Sequence, residues 1–319
     1  MITLNQNIFI ATITNLIAYT TYHDNYRLGD DIDKLLSVFR SDDVPMGDGK
    51  VVRTATLPSV QNLNPTSSTL LAVVKPNIAE QYIPVDEWKY IQLSINEYLM
   101  RGAFVNEGAL GILVSYLVNT MQIAKRLYLY DRVRGLVLSL DSNANATKTT
   151  LTGMADDPNG TAQERNAIRT YNTNELYRYL ISRIKQIGKG ATIKDTSDGT
   201  NVKVYARAED VVAIISDELL ASLDVDTLAT LLNSNEITKN VKVELITMDY
   251  SAVGSGSPVN NNVVFLLSRD KIQYGFFYQV ATQFFDASIL NTNNWLHFSD
   301  YCGFVNKAYA EVITCTNFA

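Results

Sequence analysis

Residues 48–74, DGKVVRTATLPSVQNLNPTSSTLLAVV, and residues 108–134, GALGILVSYLVNTMQIAKRLYLYDRVR, are the stretches on which the fold turns. In the first, Asp48 and Gly49 form a turn pair. Lys50 to Val60 follows with β-branched residues at Val51, Val52, Thr54, Thr56 and Val60, which predicts a strand interrupted by Pro58. Asn62 to Ser68 supplies turn chemistry, with Leu63 its one apolar side chain, and Thr69 to Val74 returns as a second strand that ends at Pro76. Two arms of ~10 residues reach roughly 30 Å from a body. An isolated ribbon is marginal in water. It must therefore lie on something, and a neighbouring subunit is a good candidate.

Tyr82 to Met100 reads as a long half-buried strand with helical character near its end. From Gly108 to Arg134, Leu110, Leu113, Val114, Leu117, Val118, Met121, Ala124, Leu127 and Tyr128 mark one helical face. Such a rod is roughly 40 Å long. Glu107 stands at its start and Lys125, Arg126, Arg132 and Arg134 near its end, as the helix dipole prefers. The apolar run Ala109 to Val118 is too short for a bilayer, which needs about 20 residues.

The rest of the chain predicts an α+β fold without internal repeats. Asp141 to Gly160 reads as a long exposed loop. Thr161 to Gly190 holds a helix, with Asn172 or Thr173 as N-cap, Leu176, Leu180, Ile181, Ile184 and Ile187 as its apolar face, and Gly188 closing it. Strands are expected at Val202 to Tyr205, Val211 to Ile215, Val241 to Met248 and Val263 to Ser268, with a helix from Asp217 to Leu232 capped by Ser216. Further strands are expected from Tyr274 to Phe285 and from Trp295 to Thr316.

Composition narrows the function. Charged residues make up 19% of the 319-residue chain and hydrophobic residues 46%. The surface must therefore be rich in Asn, Thr, Ser and Tyr, which suits extensive permanent contacts. A net charge of -6 argues against a basic grip on nucleic acid. Cys302 and Cys315 are too few for a disulfide framework or a structural zinc site and read as core thiols in a reducing compartment. No basic residue precedes Arg27, so no export signal is read, nor any lipidation motif or membrane span.

Chemistry is sparse. His23 and His297 are the two histidines, too few for a triad or a multi-histidine metal site. The acidic pairs Asp30 and Asp31, Asp42 and Asp43, Asp86 and Glu87, and Asp156 and Asp157 all fall in loops or at element edges, where caps and turns account for them. Gly254-Ser255-Gly256 lies between strands, and Gly188-Lys189-Gly190 follows a helix, so both fail the context of a phosphate loop. Arg165, Arg169, Arg178, Arg183 and Lys185 read as a solvated or interface face. No catalytic, cofactor-binding or metal-ligating residue is assigned, and no enzyme is expected.

In the order of its elements the chain resembles the major capsid protein of tailed bacteriophages, with the Hong Kong 97-type fold. The resemblance implies an N-terminal arm at residues 1–44, an extended loop at 45–82, a peripheral domain with its spine helix at 83–139, a mainly axial domain at 140–262 and a return to the peripheral domain at 263–319. It implies an icosahedral shell of pentamers and hexamers around double-stranded DNA held without sequence specificity, a portal, and no membrane. Virions would assemble in the host cytoplasm. The same fold also builds encapsulin-type cellular compartments, and a soluble α+β enzyme with an unrecognised site is the other alternative. Some relatives join a loop lysine to an asparagine; Lys50 or Lys75 and Asn306 are the residues that could stand there, with no catalytic acid identified. Ile2 to Tyr22 is apolar and β-branched, a poor composition for a removable charged scaffolding region. The expectation is an uncleaved chain, a separate scaffolding protein, and an arm that lies along a neighbouring subunit.

Overall fold

Strands that are an almost continuous apolar run need cover on both faces, and Val211–Ser216 and Val263–Ser268, each apolar up to its final serine, are buried along their whole length. They form the centre of a mixed sheet. In the computed structural model, which describes residues 30–44, 49–55, 78–85, 88–96, 107–155, 159–233, 244–254, 256–286 and 291–318, the elements run in chain order as follows: α1 (Asp30–Phe39), β1 (Lys50–Ala55), β2 (Ile78–Ile83), β3 (Lys89–Asn96), α2 (Glu107–Ser142), β4 (Thr147–Thr152), α3 (Ala162–Lys189), β5 (Ala191–Lys194), β6 (Asn201–Val204), β7 (Val211–Ser216), α4 (Asp217–Ser222), α5 (Val225–Asn233), β8 (Glu244–Met248), β9 (Val263–Ser268), β10 (Ile272–Asp286), β11 (Asn291–Phe304) and β12 (Ala310–Thr316).

The central sheet has five strands in the order β4-β12-β9-β7-β8. Its residues alternate between two cores. Val212, Ile214, Phe265, Leu267 and Val312 face α1 and α2, against Leu35, Phe39, Leu129, Val133 and Val137. Val211, Ala213, Ile215, Val264, Leu266 and Ile313 face α3 and α4, against Leu176, Leu180, Ile184 and Leu219. A second sheet, β10-β11-β3, packs one face on α2, with Phe298 edge-on to Tyr128 at 5.6 Å between ring centres. The pairs β1-β2 and β5-β6 form separate two-stranded ribbons.

Several sequence expectations are corrected. The predicted strand from Tyr82 onward is two strands, β2 and β3, separated at Pro84, which cannot donate to a ladder. The rod is longer than expected, 36 residues ending at Ser142, so Lys125, Arg126, Arg132 and Arg134 are interior positions and no basic residue lies in the last turn. Its buried ridge is Met121, Lys125, Leu129, Val133, Val137 and Leu140, while Leu127 and Ala124 are exposed. Apolar side chains occur all round this helix, so periodicity alone does not choose the face that meets the core.

The expected loop at 141–160 contains β4, an edge strand parallel to β12. Its Thr residues supply β-branching, and its alternation is polar on the outside face. Helix α3 starts eleven residues before Asn172, at a Thr161 cap whose hydroxyl accepts from the Glu164 N–H while the Glu164 carboxylate accepts from the Thr161 N–H, a capping box. Gly190, at φ 102°, is its C-cap in place of Gly188. Asn172 and Thr173 are buried mid-helix. Asn172 bonds both the N–H and the carbonyl of Met154 and the carbonyl of Asn317, and Thr173 accepts from the Asp224 N–H.

The helix expected from Asp217 breaks in two after Ser222. Ser216 caps α4 as expected, and Asp224 caps α5 by accepting from the Thr227 N–H at 3.1 Å. The terminal strand breaks as well, between β11 and β12. The predicted tip 62–68 and return strand 69–74 lie outside the described residues; among those described, β1 pairs with β2 in a continuous antiparallel register from Lys50↔Ile83 to Ala55↔Ile78.

Candidate assembly surfaces

The ribbon β1-β2 turns opposite faces to different surroundings. On one face Val51 pairs with Tyr82, Arg53 with Glu80 and Ala55 with Ile78; Val51, Tyr82 and Ile78 are about half exposed, and Arg53 donates to Glu80 at 2.8 Å. An apolar face whose charges neutralise each other is poorly suited to water. At its base the ribbon is anchored. Ile83 is buried with Val44 and Tyr301, and its Cγ2 lies 2.7 Å from where a Cβ on Gly303 would stand. Gln81 donates to the Phe304 carbonyl and accepts from the Asn306 N–H.

The sheet β10-β11-β3 has a covered face and an open one. On the covered face Leu296 and Phe298 are buried, and Lys125 reaches from α2 to donate to Gln279 at 2.8 Å and to sit 3.9 Å over the Phe276 ring. The open face alternates with it. Trp88 and Tyr90 are 58% and 62% exposed, and Phe284 is 60% exposed. Cross-strand contacts bind these positions into one surface. Trp88 packs edge-on to Tyr278, Tyr90 contacts the His297 ring, Thr282 hydrogen-bonds His297 Nε2 at 2.8 Å, and Ser94 and Gln92 both donate to Asn293. His297, one of the two histidines, therefore serves this surface. The cross-strand register through positions 88, 90, 92 and 94 carries no Asp, Glu, Lys or Arg on this face.

Behind these surfaces lie buried charges. Glu311, on the α3 side of β12, has no exposure. Its carboxylate accepts from Arg183 at 2.8 Å, Thr149 at 2.6 Å, Tyr179 at 2.6 Å and Tyr309 at 2.5 Å. Burial alone would raise its pKa, but these four donors outweigh it and hold the carboxyl below its ordinary value. Arg183 thus belongs to a buried ion pair and not to the solvated face expected of it. Arg132 pairs likewise with buried Asp300 at 3.0 Å, and Arg134 with Asp249 at 2.7 Å. Lys271, also without exposure, donates to Thr196 Oγ1 and to the carbonyls of Val305, Asn306 and Ala308, tying the turn before β12 to the β5-β6 ribbon. Burial lowers its pKa to about 8, against the opposing pull of Asp195. Sequence reasoning missed Glu311 and Lys271, because an isolated charge inside an apolar strand or turn shows nothing of its partners.

The other flagged residues do not converge. Asp31 pairs with Lys34 in α1, Asp43 accepts from the Phe276 N–H, and Gly254 takes a left-handed turn at φ 58°. Asn306 accepts from Thr196 through its side chain, and Lys50 lies at the ribbon base. His23, Lys75, Asp86, Glu87, Asp156, Asp157 and Ser255 lie outside the described residues. Among the described residues no cluster of His, Cys, Asp and Glu could hold a metal, and no helix is long and apolar enough to cross a membrane. Neither Cys302 nor Cys315 is in a disulfide, and burial raises the Cys315 thiol to about 12.

The whole arrangement has structural counterparts. The capsid structure of Staphylococcus phage Andhra matches with a TM-score of 0.59 and 12% identity, covering 92% of this chain and 86% of that one. The capsid of cyanophage P-SCSP1u matches at 0.56 and 12%, covering 88% and 87%. The mature capsid of bacteriophage PhiM1 matches at 0.51 and 10%, covering 92% and 89%. At these identities the likeness establishes the fold, which is the Hong Kong 97-type capsid fold. No curated relative matches the sequence. The family model of the Phi29-like phage major capsid protein matches residues 3–310, and the chain belongs to that family.

Proposed function

We propose that the chain closes into an icosahedral shell as pentamers and hexamers around double-stranded DNA held without sequence specificity. The observation that carries this beyond the family is the ribbon β1-β2, which among the described residues is held to its own subunit through Ile83, Gln81 and Val52 while Val51, Ile78 and Tyr82 stand exposed. Identical subunits that repeat one such contact generate a closed lattice. A separate scaffolding protein and a portal would complete the head, assembly would occur in the host cytoplasm, and the role would be structural rather than enzymatic.

The domain limits follow the same reading. Residues 1–44 make the arm, whose end, α1, packs into the core beside α2. Residues 45–82 make the extended loop, 83–139 the peripheral domain, 140–262 mainly the axial domain and 263–319 the return. Electron microscopy of the purified protein, with and without a co-expressed scaffold, tests the proposal. Closed shells are expected, whereas a clean monomer by light scattering at high concentration refutes it. Replacing Leu57 to Leu71 with a short Gly-Ser turn should leave a folded monomer that does not assemble. Intact mass of native particles should show no N-terminal loss.

A further inference from the structure

Charges around the central sheet are sorted by sign. Residues 161–207, which include α3 and the β5-β6 ribbon, carry nine basic and four acidic side chains, whereas residues 208–254, from β7 through α4 and α5 to β8, carry two and nine. The fold sends these groups to opposite corners of the sheet. Helix α3 passes over β4 and β12, from Asn172 at their ends, where it bonds Met154 and Asn317, to Tyr179 and Arg183 near the start of β12, where both donate to Glu311. The ribbon stays at that corner, with the Lys194 N–H donating to Thr147 Oγ1 of β4 at 2.9 Å. Strands β4 and β7 run the same way, because β12 is parallel to β4 while β9 is antiparallel to both β12 and β7. Helix α4 therefore starts at the far end of the sheet, toward its other edge strand, β8.

Among the described residues the charges at the two corners are not neutralised within the subunit. Lys185, Lys189, Lys194 and Lys203 are exposed, and no carboxylate pairs with them. Lys194 and Lys203 share the outer face of the ribbon, where Thr192 pairs with Lys203 and Lys194 with Asn201. Asp198, at the ribbon's turn, has Lys307 beside it. At the other corner Asp217 and Glu218 open α4 and Asp226 lies in the first turn of α5, all exposed and without a basic partner. Arg134, which shares the neighbourhood of Tyr130 with Asp217, is already paired with Asp131 and Asp249.

A contact in which both copies offer the same patch would set like charge on like. A head-to-tail contact sets opposite charges together, and repeated around an axis it closes a ring of identical subunits. Copies with a net charge of -6 otherwise repel one another on average. We propose that the corner bearing Lys185, Lys189, Lys194 and Lys203 on one subunit docks on the corner bearing Asp217, Glu218 and Asp226 of its neighbour within each pentamer and hexamer. The matching acidic corner on the same chain makes a second copy the partner of these lysines in preference to a phosphate backbone. This rests on the capsid reading but can fail separately from it.

The test reverses each corner in the full-length chain: Lys194→Glu with Lys203→Glu, Asp217→Lys with Glu218→Lys, and all four together. Either pair should lower the yield of closed shells seen by electron microscopy at least ~10-fold, because like charges then face each other. The fourfold variant should recover well above either pair, because opposite charges meet again in the reversed sense. A pair that assembles like the wild type, or a folded fourfold variant no better than the pairs, overturns the inference, while wild-type shells leave the capsid reading intact. A lysine-reversed variant that closes normal shells and loses only its DNA also overturns it and makes the basic corner a nucleic-acid contact. If urea unfolding shows that the fourfold variant does not fold, Lys194→Gln with Lys203→Gln decides. The subunit concentration at half assembly should then rise at least ~3-fold at about 0.1 M salt, and the difference should vanish near about 1 M, where charges are screened. An unchanged concentration at the lower salt overturns the proposal.

Discussion

Replacing Glu311 by Gln isolates the largest buried electrostatic commitment of the fold. The substitution keeps the shape and removes the charge. Thr149, Tyr179 and Tyr309 can turn their hydroxyls to suit an amide, but Arg183 cannot give up its proton, and its side chain is only 21% exposed. Breaking a buried pair from one side costs about 3–5 kcal/mol, because the remaining charge is left without its partner. Partial solvation of Arg183 places the expectation at the low end, about 3 kcal/mol. Urea unfolding of the unassembled subunit, at pH 7, measures it as a lowered midpoint at constant slope.

The reasoning makes a second demand on the pair. The double variant Glu311→Leu with Arg183→Met should be less destabilised than Glu311→Gln alone, since it leaves no orphaned charge. A loss below about 1 kcal/mol for Glu311→Gln, or a double variant as costly as the two single changes combined, refutes the account. The wild-type carboxyl sits below its unfolded value of 4.5, so its contribution is complete above that pH and is lost as pH falls through the folded value. The Gln variant should lack that acid-side loss.

Lys271 predicts the opposite limb: its folded pKa of about 8 lies below the unfolded 10.5, so between these values the unfolded chain binds more protons and stability rises with pH, by up to roughly 3 kcal/mol. Comparing urea midpoints of wild type and Lys271→Met from pH 7.5 to 9.5 checks this, and parallel curves would count against it. Gly275→Ala would place a Cβ 2.7 Å from the ring of fully buried Tyr301, and about 1–3 kcal/mol of destabilisation is expected by thermal unfolding. Thr161→Ala removes the capping box of α3, whose first turns are exposed; faster hydrogen exchange confined to the start of that helix, with a global loss near 1 kcal/mol, is the expected result.

What the amino-acid sequence determined by itself is what neighbouring residues can settle. The run Val263–Ser268 matches β9 end for end, Val211–Ile215 misses only the last residue of β7, and Ser216 caps the helix it was expected to cap, because burial on both faces and capping are both written in local order. The rod starting at Glu107 was likewise legible, as was the order of elements that points to a capsid fold. Pairing was not. β4 looked like a loop because its stability comes from β12, more than 150 residues away, and β2, which pairs with β1, was not read as a strand before Tyr82. The buried face of α2 was chosen by the sheet packed against it, which draws in Lys125 and leaves Leu127 exposed. Glu311 and Lys271 acquire meaning only when donors and acceptors from distant segments converge on them, since a charge inside an apolar stretch is costly alone and stable once its partners are in place. Local pattern decides which elements form; long-range contact decides which faces and charges are buried.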